Sequence, residues 1–65
     1  METYQTRIIA EKSELDSKRE KLAEFTRTEM FRSLPEQEMK LFVRQAVFME
    51  LYSDTLAERI ALFHD

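Results

Sequence analysis

The chain has no glycine and only one proline, Pro35, in its 65 residues. Glycine ends helices and opens tight turns at little steric cost, and proline removes a backbone donor and breaks a helix interior. A chain this poor in both has one natural place to reverse direction. Glu, Lys, Arg, Leu, Met and Ala dominate the remainder and favour long uninterrupted helices. The expected fold class is therefore all-α, an antiparallel two-helix hairpin forming a single domain over residues 1–65. Its first helix is expected over about 4–27, the bend over about 28–34 and the second helix over about 35–63.

In the first helix Tyr4, Ile8, Leu15, Leu22 and Phe25 share a stripe, and Ile8, Leu15 and Leu22 are seven residues apart, as in a coiled-coil seam. Glu11 and Lys18 are charged members of that stripe. Lys12 with Asp16 and Glu14 with Lys18 have the i,i+4 spacing of supporting ion pairs, each contributing about 0.2–0.5 kcal/mol. In the bend, Ser33 and Glu36 have capping-box spacing, and Pro35 is compatible with a first helical turn. The alternative start is Leu34, which the following proline biases away from helical dihedrals. Met30, Phe31 and Leu34 are too apolar for a solvated loop and are expected to fold back over the end of the hairpin through a short helical turn.

The second helix carries more apolar surface than the first can cover. Phe42, Met49, Tyr52, Leu56, Ile60 and Phe63 form a broad face, and Val43, Val47 and Leu51 a narrower one. With Met39, Leu41, Phe48 and Leu62 the second helix has thirteen large apolar side chains, against Tyr4, Ile8, Ile9, Leu15, Leu22 and Phe25 on the first. Each buried one contributes roughly 1.5–3 kcal/mol, so leaving several in water forfeits an amount comparable to a small domain's whole stability. A chain of this size also needs a staple, and cysteine is absent. Self-association is therefore expected, as a homo-oligomeric helical bundle whose simplest closed form is a dimer with four helices. The expected interface residues are Phe42, Val43, Val47, Phe48, Met49, Leu51, Tyr52, Leu56, Ile60 and Phe63.

Enzyme chemistry lacks an inventory here. There is no glycine-rich phosphate loop, no Cys–His or Ser–His–Asp set and no metal-ligand cluster, and acidic pairs such as Glu11 with Glu14 or Glu36 with Glu38 are ordinary on solvated helix faces. No catalytic residue, metal or cofactor is expected. His64 reads as an exposed tail residue. A net charge of −3 argues against a nucleic-acid polymer as partner. No segment has the length or apolarity of a membrane span or signal peptide, so the expected location is the cytoplasm.

The polar residues that interrupt the apolar stripes are the candidate site: Tyr4, Arg7, Glu11, Lys18, Gln45, Tyr52 and Arg59. Hairpin geometry brings Glu11 level with Leu56 and Arg59, which allows an Arg59–Glu11 ion pair, and Lys18 level with Phe48 to Tyr52. Two roles remain open. These residues fix register and oligomeric state, or they line a pocket between subunits in which tyrosines stack on a base and Arg or Lys neutralises phosphate. Arg27, Arg32, Lys40 and Arg44 near the start of the second helix form a second basic candidate, with Glu29, Glu36 and Glu38 as compensating charges.

Taken together, Tyr4, Arg7, Glu11, Lys12, Leu15, Leu22 and Phe25, then Phe31, Leu34 and Pro35, then Gln45, Met49, Tyr52, Leu56, Arg59 and Ile60 resemble the pattern of very small phage-encoded helical-hairpin proteins, including accessory proteins of lambdoid early regions. That resemblance implies a non-enzymatic accessory or regulatory protein binding a host factor in the host cytoplasm. The architecture is also similar to the helical-hairpin sponges that phages direct against cyclic-nucleotide immunity, the anti-CBASS and anti-Thoeris proteins. That similarity implies a cyclic nucleotide held between hairpins, with Tyr4, Arg7, Lys18, Tyr52 and Arg59 as contacts. This chain is shorter than those sponges and lacks the glycine- and arginine-rich segments expected at a phosphate pocket.

Overall fold

The computed structural model describes residues 3–63 and contains three helices: α1 (Tyr4–Phe25), α2 (Glu29–Arg32) and α3 (Glu36–Ala61). α1 and α3 run antiparallel and pack on each other, and α2 is a single turn within the bend. The molecule measures 49 × 18 × 14 Å, a single layer of two helices.

The boundaries follow from side-chain caps rather than from glycine, and no described residue has a positive φ. Thr3, in extended conformation, accepts the Thr6 N–H at 3.1 Å and starts α1. The helix ends two residues earlier than the sequence suggests because Arg27 and Thr28 tighten into i→i−3 bonds to Glu24 and Phe25. Thr28 then caps α2 by accepting the Phe31 N–H at 3.2 Å. The expected capping box at Ser33 does not form. The Ser33 hydroxyl instead donates to the Met30 carbonyl at 2.7 Å and closes the end of α2. Pro35, with φ −55° and ψ 146°, is the N-cap of α3 without a side-chain acceptor. The restriction that Pro35 places on Leu34 accounts for the shift, since the helix restarts only after both residues and leaves Ser33 too early to cap it.

Leu56 is fully buried between the helices, flanked by Ile8 and Leu15 from α1, with Met49, Ile60 and Phe63 packed against them. The seven-residue spacing seen in α1 thus faces α3. At the closed end Phe25, Phe31 and Phe42 form a triangle of rings with centroids 5.2–6.0 Å apart, two of the three pairs edge-on. Such pairs add about 0.5–1.5 kcal/mol each beyond their burial. Phe31 and Leu34 fold back as expected, but Met30 does not: it is 68% exposed on the outer side of α2. One turn of helix can direct only part of its circumference inward.

A polar link fixes the register of α1 against α3. Ser53, buried in the middle of α3, donates its hydroxyl to Asp16 Oδ1 at 2.6 Å. The Asp16 carboxylate also receives Lys12 Nζ at 2.7 Å and Arg19 Nη1 at 3.0 Å. These three donors, Lys12 foremost, hold the Asp16 carboxyl well below its ordinary value of 3.8. The Lys12–Asp16 pair was legible from spacing, whereas Glu14 and Lys18 do not pair.

Two outcomes are expected from this packing. Leu56→Ala removes the one fully buried large apolar side chain among the described residues and should lower stability by about 2–5 kcal/mol in urea melts at fixed protein concentration. Asp16, whose pKa is depressed on folding, contributes stability that is present above its unfolded value and lost as pH falls toward the folded one. Asp16→Asn should therefore melt below the wild type at pH 7, with the gap narrowing but not vanishing as both are taken to about pH 2.5; a gap independent of pH would refute the linkage.

Candidate binding edge of the hairpin

Helical geometry of 3.6 residues per turn sorts the polar candidates onto surfaces. On α1, Tyr4, Arg7, Glu11 and Lys18 are spaced by three, four and seven residues and so share one stripe. On α3, Gln45, Tyr52 and Arg59 are spaced by seven and share another. Contact between Arg59 and Tyr4 shows that the two stripes lie on the same long edge of the hairpin. Lys12, Asp16, Arg19 and Ser53 occupy the opposite edge, where their charges are internally satisfied.

At the open end of the first edge, Arg59 Nη2 donates to the Tyr4 hydroxyl, and its guanidinium carbon lies 5.7 Å from the centroid of the Tyr4 ring. That distance is within cation–π range. The ring is also braced by Phe63, 6.1 Å away centroid to centroid. Arg59 therefore does not take Glu11 as its partner. Tyr4 offers the guanidinium both an acceptor oxygen and a π face, and both residues remain exposed, so the pair stays accessible to a third group. Glu11 is half-buried, Lys18 is exposed, and neither forms an ion pair among the described residues. Gln45 lies with its amide nitrogen 3.9 Å from the Met49 sulfur. Across the seven residues, three cations face one carboxylate, although the whole chain is acidic.

The second basic candidate is less coherent. Lys40 is paired with Glu36 at 3.4 Å, Arg32 reaches the Arg27 carbonyl at 3.5 Å, and Arg44 lies with Lys40 along a shallow depression beside Leu41. Of the four cations only Lys40 has an ion-pair partner among the described residues, and they are spread over the bend and the start of α3. His64 lies outside the described residues.

The residues expected at an oligomer interface divide into two groups. Phe42, Met49, Leu56, Ile60 and Phe63 lie on the face that α1 covers. Val43, Val47, Phe48, Leu51 and Tyr52 remain exposed, together with Leu41 and Leu62. A groove of about 350 Å³ runs along the edge away from Tyr4 and Arg59, lined chiefly by Leu22, Ala23, Phe31, Val43, Ala46 and Val47. Among the described residues no group of three or more His, Cys, Asp or Glu could hold a metal ion, and no helix is long and apolar enough to cross a membrane.

Sequence periodicity placed the stripes but missed two contacts. Asp16 with Ser53 and Tyr4 with Arg59 both bridge residues far apart in the chain, and neither has a signal in local spacing. The polar interruption of an otherwise apolar α3 face at Ser53 was the one available hint.

Among known proteins, the family model described as Sequestin matches residues 2–62, nearly the whole chain, and the chain belongs to that family. No curated protein and no solved structure matches it.

Proposed function

We propose that this member of the Sequestin family is a binding protein without chemistry of its own, which sequesters a small anionic signal, a cyclic nucleotide, along the edge bearing Tyr4, Arg7, Lys18, Tyr52 and Arg59. The family name supports a sequestering role. The observation that carries the choice of ligand class is the exposed Arg59–Tyr4 pair, a guanidinium already oriented over a ring, with a second tyrosine on the same stripe. Phosphate is matched by the planar guanidinium fork, and bases stack on aromatic faces for roughly 1–3 kcal/mol each.

The edge of one hairpin is too open to enclose such a ligand, because small-molecule sites cover roughly 70–90% of what they hold. The ligand is therefore held where hairpins of a homo-oligomer meet. A protein that removes a signal in this way suits a phage acting in the cytoplasm of its host. The second reading is capture of a host protein, favoured by the apolar side chains Phe48 and Leu51 that α3 leaves exposed.

Melting the protein with a panel of cyclic nucleotides separates the two. The panel should contain rings closed through a pyrophosphate as well as cyclic di- and trinucleotides, so that both arrangements of charge are sampled. A bound member at 100 times its Kd should add about 2.7 kcal/mol of stability. Arg59→Met should keep its helical circular dichroism and weaken that ligand at least about tenfold, the loss of one charged hydrogen-bonding partner. No shift with any member of the panel would refute the nucleotide reading in favour of a protein partner.

A further inference from the structure

On the exposed side of α3, Leu41, Gln45, Phe48, Tyr52, Thr55, Arg59 and the C-cap residue Leu62 follow one another by alternating steps of four and three. That is the spacing of a coiled-coil seam. It lies about a quarter turn from the face that α1 covers, and every member is exposed: Leu41 47%, Phe48 61%, Tyr52 45% and Leu62 72% among the large apolar ones. Apart from the contact of Arg59 with Tyr4 at its open end, no member of this second seam reaches α1 through a hydrogen bond or ring contact among the described residues.

We infer that the seam pairs with the same seam of a second copy, antiparallel, about a two-fold axis at Tyr52. Two features of the row specify this occupant and this direction. First, the row is self-complementary when reversed. Leu41 meets the partner's Leu62, Gln45 meets the partner's Arg59, Phe48 meets the partner's Thr55, and Tyr52 meets the partner's Tyr52. The flanking row behaves likewise, with Arg44 opposite the partner's Glu58 and Leu51 opposite the partner's Leu51. Residues flanking a seam commonly set partner choice and orientation by such opposite charges. A parallel pairing in register instead stacks Arg59 on the partner's Arg59 near one end of the contact and leaves Arg44 and Glu58 two heptads apart.

Second, the surface is in excess. The chain exposes 5474 Å², against about 4,400 Å² for a compact monomer of 7.8 kDa. The surplus of about 1,100 Å² exceeds the roughly 800 Å² that each partner contributes to a standard stable interface. A second hairpin laid along the seam covers surface of that order.

The arrangement also brings the partner's Gln45 beside each Arg59, so the Tyr4–Arg59 pair is completed by a side chain from the other copy. In this respect the inference extends the proposed binding edge, but the assembly itself is tested without ligand.

The absence of native cysteine makes single-cysteine cross-linking direct. Under mild oxidation Tyr52→Cys should form covalent dimers on its own. Leu41→Cys should not, whereas Leu41→Cys mixed with Leu62→Cys should form the mixed dimer. Self-linking of Leu41→Cys as strong as that of the mixture would show a parallel pair and overturn the inference.

In sedimentation without ligand, Arg44→Glu and Glu58→Arg should each weaken the dimer about tenfold through the two symmetric contacts, and the double exchange should restore it to within about twofold. A double variant no tighter than the singles would exclude this register. Phe48→Glu, at an exposed position, should give a folded monomer while Val47→Glu leaves the dimer intact; the reverse result would place the interface on the opposite edge. Wild-type protein that is monomeric at all concentrations refutes the dimer, while dimerisation without any nucleotide-induced melting shift refutes only the ligand.

Discussion

A single layer of two helices can hide one face of each, and this constraint governs the rest of the molecule. α1 offers one apolar stripe, centred on Ile8 and Leu15, and α3 answers it with Leu56 and its neighbours. Leu41, Val43, Val47, Phe48, Leu51 and Tyr52 of α3 are left outside that contact by geometry. The fully buried apolar interior is correspondingly small, and the stability of the hairpin leans on its two ends. Three phenylalanines close the bend, and Tyr4, Phe63 and Arg59 hold the open end together. Between them, the Asp16–Ser53 link fixes how far one helix slides along the other.

The two long edges of the hairpin differ in how their polar groups are satisfied. On one edge Asp16 collects three donors from its own chain, and no buried polar side-chain atom among the described residues lacks a partner. Such an arrangement stabilises register and offers little to a ligand, since any newcomer must displace a bond already made. On the other edge Arg59 is held by a neutral hydroxyl and a ring. Exchanging those contacts for a phosphate oxygen replaces a neutral hydrogen bond with a charge-assisted one, roughly twice as strong. The favourable direction of exchange is therefore opposite on the two edges, although both carry arginine and lysine.

How much of this was legible in the sequence depended on how local the signal was. The hairpin, the position of its bend near Pro35 and the α1 stripe of Ile8, Leu15 and Leu22 follow from backbone chemistry and periodicity, which act over a few residues. Phe31 and Leu34 were recognisable as too apolar for solvent. Ser33 was misassigned because its spacing to Glu36 mimics a capping box, while the true helix start depends on what Pro35 does to Leu34. Arg59 was expected to pair with Glu11 because opposite charges at the same level usually attract. That choice overlooked the combined acceptor and π surface of Tyr4. Ser53 interrupts an apolar face, but Asp16 looks like an ordinary solvated helix residue, and only the helix-to-helix register makes the two partners.

Placing the unused α3 seam and the Tyr4–Arg59 edge side by side has a thermodynamic consequence. If a ligand contacts Arg59 of one copy and Gln45 of the other, it binds the dimer and not the separated hairpins, so ligand and second subunit must strengthen each other by the same factor. In that proposed arrangement a small hairpin with a thin core would gain rigidity on binding, because the second copy would cover surface that α1 cannot. Marginal stability of the lone chain is compatible with tight retention of the ligand: release would require either opening a dimer seam or unpairing a desolvated arginine, and each step is slower in the presence of the other contact. Under the proposed sequestering role a low dissociation rate is the property that matters, and the proposed assembly would cover exposed apolar surface and an accessible cation together.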